Sequence, residues 1–196
     1  MRRLSILIGL AAAGLANPAL AHTGTGLPGG FVSGFAHPLG GTDHLLAMVS
    51  VGLWGAWLGR PLIYLLPVVF PGMMVAGALA AMAGAPAPPV ELGIALSVLV
   101  LGVCVAAGYA APTWLAVIVV VAFGICHGYA HGTELPSAAD PVGYSVGFVT
   151  ATGLLHVAGI ALGALKDRPA GAIATRAAGL GVAVAGLWFL SQAVTR

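Results

Sequence analysis

Between residues 42 and 194 the chain divides into six apolar stretches, near 42–59, 62–84, 90–108, 113–132, 142–164 and 174–194. Each approaches the roughly 20 residues of helix needed to cross a hydrocarbon core. The separators are short and carry helix breakers: Arg60-Pro61, "APAPP" at 85–89, "YAAP" at 109–112, "TELPSAADP" at 133–141 and "KDRPAGAIATR" at 166–176. Only 6% of the chain is charged and 60% is hydrophobic, whereas soluble domains are roughly 25% charged. These features predict an all-α membrane protein: a bundle of six transmembrane helices forming a single domain over 22–196.

The opening "MRRLSILIGLAAAGLANPALA" has a basic start, a short apolar stretch, Asn17-Pro18 and an A-x-A site at Ala19-Leu20-Ala21. This is the pattern of a cleavable signal peptide over 1–21. Cleavage would expose His22, whose free amine and imidazole could chelate an arriving cation. Cytoplasmic loops are enriched in Lys and Arg. With an exported amino terminus, Arg60, Lys166, Arg168 and Arg176 fall inside and only Arg196 outside. The expected setting is therefore the bacterial inner membrane, with both mature termini periplasmic. The net charge of +2 comes from Arg2 and Arg3, so a nucleic-acid partner is not expected. Cys104 and Cys126 fall in apolar runs and indicate neither a disulfide framework nor a CxxC metal site.

Glycines at four-residue spacing, Gly55/Gly59, Gly124/Gly128/Gly132 and Gly159/Gly163, form ridges that let helices approach closely in lipid. A second copy of the chain remains a further candidate partner beside lipid. Pro67 and Pro71 deprive the carbonyls of Ile63 and Pro67 of their helical donors and predict a kink at "FPG", residues 70–72.

Against this apolar background two polar motifs stand out: "HPLGGTDH" at 37–44 and "HGYAHGTE" at 127–134. They lie at the start of the first span and the end of the fourth. Those spans run in opposite directions, so both motifs reach one membrane level. At 1.5 Å per residue His44 is roughly 24 Å from the inner end of its span, and His127 and His131 roughly 21 and 27 Å from theirs. His127, His131 and Glu134 share one helical face. Pro38, Gly40 and Gly41 are expected to interrupt the helix after His37 and let the chain fold back toward Asp43 and His44.

Ionised carboxylates and unsatisfied imidazoles are costly in a bilayer, so such groups line a cavity or find partners. A divalent first-row metal suits this mixture of imidazole nitrogen and carboxylate oxygen; the competing reading is a structural polar network. Further candidates for the metal or its path are His22, Glu91 at the start of the third span, His156 as a deeper station, and Phe70 as an apolar gate at the kink. For His156 the competing role is a hydrogen-bonded core residue, for Glu91 a favourable helix-dipole charge, and for Phe70 core packing.

The paired motifs, His-x5-Asp-His and His-Gly-x-Ala-His-Gly-x-Glu, resemble the HupE/UreJ family of hydrogenase and urease accessory proteins. The resemblance runs over the whole mature chain. It implies a secondary permease delivering nickel, or cobalt in some members, to the cytoplasm for metalloenzyme maturation. By motif, the metal-handling positions would be His37, Asp43, His44, His127, His131 and Glu134.

The chain has no G-x-x-x-x-G-K-[ST] loop, which excludes ATP hydrolysis within it and implies no nucleotide cofactor. An inside-negative potential favours entry of a dication by roughly 4.6 kcal/mol per 100 mV. A haem protein could use His44 and His131 axially, but the nearby acids argue against it. A metalloprotease would carry H-E-x-x-H, which is missing. No enzymatic activity is expected, and a non-transporting metal-binding accessory or sensor protein remains the alternative to a nickel or cobalt permease.

Overall fold

The computed structural model describes residues 29–135 and 140–195. They form seven α-helices: α1 (Phe31–Gly40), α2 (Thr42–Leu58), α3 (Leu62–Met82), α4 (Val90–Ala107), α5 (Thr113–Glu134), α6 (Pro141–Gly163) and α7 (Pro169–Thr195), with a 3-10 turn at Ala164–Asp167. No strand occurs among the described residues. Five of the helices, α3 to α7, are long and apolar enough to cross a membrane. The expected first span is α2, which has 17 residues and rises only about 26 Å. The expected signal peptide and His22 lie outside the described residues.

Short connections make the helices alternate in direction. At one end, α2 and α5 carry the two polar motifs. At the other, Trp54 Nε1 donates to the carbonyl of Tyr109 at 3.2 Å and Lys166 Nζ donates to that of Trp57 at 2.9 Å. Arg176 donates through Nε to the carbonyl of Ala106 at 2.8 Å. These cations sit where α2 and α4 end, and satisfy carbonyls that a helix terminus leaves without donors.

The bundle is apolar outside and holds a set of polar side chains inside its otherwise apolar core. Val68, Leu79, Ile118, Val146, Val157 and Ile173 are exposed, whereas Asp43, His44, His127, His131, Thr152 and His156 are buried. The most extensive helix contacts pair α3 with α5, α4 with α7, and α6 with both α1 and α2. The glycine ridge on α5 explains the first pairing: a Cβ on Gly128 would collide with the carbonyl of Met74, and one on Gly132 with that of Ala78. Gly159 meets α2 in the same way, at the carbonyl of Val49. Gly59 does not continue the ridge expected with Gly55. It ends α2 at φ 76°, with nothing within 4 Å of a built Cβ, so its role is to stop the helix.

The helix α1 is an addition to the six expected elements. Pro38 does not break it; the interruption falls at Gly41, which has φ −93° and ψ 112°. A ten-residue helix is marginal by itself. Here Gly34 and Gly147 bring the α1 and α6 backbones together, and this docking sustains α1 through its proline.

Candidate metal centre

The first motif spans a joint. His37 lies in the last turn of α1 and Asp43 and His44 in the first turn of α2, with Gly41 between them. Asp43 Oδ1 accepts from the backbone N–H of His44 at 2.8 Å and lies 3.1 Å from His44 Nδ1. A carboxylate can only accept, so Nδ1 carries the proton and Nε2 is left as the nitrogen that could ligate. Asp43 thus orients a histidine, as the outer carboxylate does in many metal sites.

The second motif is a continuous helix, and its four-residue spacing puts His127 and His131 on the face toward α2. Their rings and those of the first motif interleave. His44 is 4.7 Å from both His127 and His131 between ring centroids, and His37 is 5.0 Å from His131 and 6.5 Å from His44. Ser97 on α4 completes this layer. Its hydroxyl donates to the carbonyl of Ile94 at 2.6 Å and lies 2.9 Å from His127 Nε2. With its one proton committed, the hydroxyl accepts from Nε2–H, leaving Nδ1 as the nitrogen of His127 that could ligate.

At the end of the bundle His37, His131 and Glu134 each offer one ligand atom, all within 4.8 Å of one another. Metal–nitrogen bonds of about 2.1 Å hold ligand atoms about 3 to 4 Å apart, so this trio would need only a small side-chain adjustment to hold an ion. Four imidazoles and two carboxylates, the six groups expected from the two motifs, therefore come together. The donor set suits nickel, cobalt or zinc.

Comparison with known proteins gives the chain's family. The family described as "HupE / UreJ protein" matches residues 10–189. The chain belongs to the HupE/UreJ family. Protein HupE of Rhizobium leguminosarum bv. viciae is 43% identical over 175 residues, covering 89% of this chain and 92% of the relative. No solved structure matches.

In this HupE/UreJ protein the remaining candidates separate. Glu91 stands exposed in the first turn of α4. Phe70 is fully buried on the proline-bearing α3, its ring 5.4 Å from that of His127 and 5.7 Å from that of His156. His156 meets the Phe70 ring rather than the rings of the four-imidazole cluster.

Four participants escaped the sequence reading: Ser97, Tyr144, Phe148 and Thr152. Tyr144 and Phe148 wall the cluster, with ring centroids 5.7 and 5.9 Å from His37, and Phe148 lies 4.5 Å from His131. Their signal was the four-residue register Tyr144, Phe148, Thr152, His156 along the fifth apolar stretch. A cleft between α3, α5 and α6 follows that register from Leu135 to Pro71, with His131, Tyr144, Phe148 and Thr152 on its walls.

Proposed function

We propose that this protein is a secondary permease that admits a divalent transition metal to the cytoplasm, nickel first and cobalt second, for metalloenzyme maturation. One observation carries the reading: His37, His131 and Glu134 bring ligand atoms within 4.8 Å of one another at one end of a bundle built for lipid. Capture by this trio is followed by exchange onto His44 and His127, whose tautomers are set by Asp43 and Ser97. The two carboxylates supply the negative charge that a desolvated dication needs. The bundle is placed in the inner membrane with the histidine-bearing end periplasmic, α2 serving as a short sixth span. The charge of Arg60, Lys166, Arg168 and Arg176 at the opposite end supports this orientation. The membrane potential then drives entry, with Phe70 as the apolar constriction. Glu91 is assigned to the entrance.

Radiolabelled nickel and cobalt uptake by a permease-deficient host tests the assignment, paired with metal entry into liposomes holding the purified protein. Saturable entry of nickel, inhibited by cobalt, is expected. Tight nickel binding without entry into liposomes would make the chain a metal-binding accessory or sensor instead.

A further inference from the structure

The polar interior does not end at the four-imidazole cluster. On α6 the register Tyr144, Phe148, Thr152, His156 continues past it, and the last two positions are 0% and 1% exposed. His156 lies roughly 22 Å along α6 from Pro141, and the Phe70 ring touches both it and His127.

Both residues keep their polar atoms in an unusual state. A threonine inside a helix ordinarily turns its hydroxyl back to a carbonyl of the preceding turn. Thr150, two positions earlier on the exposed face of α6, does so, donating to Val146 at 2.7 Å. The Thr152 hydroxyl has no partner, although it is completely buried. Neither ring nitrogen of His156 completes an ordinary hydrogen bond, while its ring faces the carbonyl of Pro67. That is the carbonyl which Pro71, four residues on, leaves without a helical N–H donor. The Thr152 hydroxyl thus stands unpaired in the interior, beside an imidazole and a carbonyl that have only a loose interaction with each other, and an unmet buried polar group is costly. The placement is also rigid, since a Cβ on Gly52 of α2 would collide with the carbonyl of His156.

We propose that His156, Thr152 and the freed carbonyl of Pro67 form a second, inner metal station, taking the ion from His127 once it has passed Phe70. The inference rests on the permease reading. The donors are one imidazole nitrogen and two neutral oxygens, a set that a first-row dication accepts. It includes no carboxylate, so the ion is held more weakly than beside Asp43 and Glu134. A path that conducts requires later sites from which the ion can leave.

Two substitutions of His156 separate a ligand from a packing residue. His156→Gln retains an N–H that can reach the Pro67 carbonyl but gives up the imidazole ligand. His156→Cys supplies a metal-binding sulfur but only a weak donor. Full-length variants at matched membrane abundance are compared for initial rates of radiolabelled nickel uptake, and for equilibrium binding of nickel chloride after purification in detergent. The inner station predicts that His156→Gln lowers uptake at least tenfold while nickel binding stays within about twofold of wild type. It also predicts that His156→Cys transports at least three times faster than the glutamine variant, and that Thr152→Val lowers uptake about threefold. Wild-type uptake by His156→Gln, or glutamine outperforming cysteine, would overturn the station and leave the permease standing. Wild-type protein that neither binds nor admits nickel would remove both.

Discussion

The two histidine motifs draw on similar residue types and use them differently. In the 127–134 motif the helix is unbroken, so one face carries His127 and His131 toward α2 while another carries Gly128 and Gly132 against the carbonyls of Met74 and Ala78. In the 37–44 motif the helix is interrupted. Gly40 has nothing within 4 Å of a built Cβ, and Gly41 takes the extended geometry between α1 and α2. Glycine therefore permits close contact in one motif and a change of direction in the other. The site joins a rigid wall, α5, to a jointed one, α1–α2, and under the proposed function the ion is held by both.

The strongest way to break that comparison is to remove one group from each wall. Asp43→Ala with His131→Ala should reduce nickel uptake to host background, at least a hundredfold below wild type, at equal membrane abundance. Residual uptake above a tenth would mean that the ion travels elsewhere. A milder change addresses the joint alone. Asp43→Asn retains an acceptor for His44 but loses the charge, and replacing such an orienting carboxylate typically costs 10–100-fold in metal affinity. That loss should be read by titrating the purified protein with nickel. An affinity within twofold of wild type would show that Asp43 serves only the start of α2.

The glycines provide the next test. Gly128→Ala forces a Cβ against the Met74 carbonyl, and overpacking of this kind costs about 1–3 kcal/mol. Gly40→Ala should fall within about 0.5 kcal/mol of wild type. Unfolding of the purified protein in detergent compares the two directly. Equal effects would erase the distinction between contact glycine and joint glycine.

The meeting of 37–44 with 127–134 was legible in the sequence because a fixed rise per residue and alternating helix direction suffice to bring two polar segments to one depth. The α5 glycine ridge was legible for a related reason, since its spacing repeats. The form of the joint was not. Pro38 signals a helix end, yet α1 runs through it because docking on α6 compensates for the lost hydrogen bond, and tertiary contact of that kind leaves no local mark. Gly59 is a similar case: spacing alone cannot distinguish a ridge glycine from a helix stop. Ser97 was hidden most completely, as one hydroxyl in an apolar run has no period to reveal it.

Ser97 also supplies the smallest expected effect and the finest test of how the rigid wall works. Ser97→Ala removes the acceptor of His127 Nε2–H, and the imidazole is then free to move its proton to Nδ1, the nitrogen that would otherwise ligate. A neutral hydroxyl holds a tautomer less firmly than the carboxylate beside His44, because hydrogen bonds to charged groups are roughly twice as strong. The half-saturating nickel concentration for uptake should therefore rise three- to tenfold, less than for Asp43→Asn, while Ser97→Thr, which restores a hydroxyl, stays close to wild type. If Ser97→Ala proves the more damaging of the two, α5 holds the ion chiefly through His127 and the jointed wall is subordinate. If neither substitution shifts half-saturation, the orientation of these imidazoles comes from ring packing, His127 against Phe70 and His44 against His127 and His131, rather than from their hydrogen bonds.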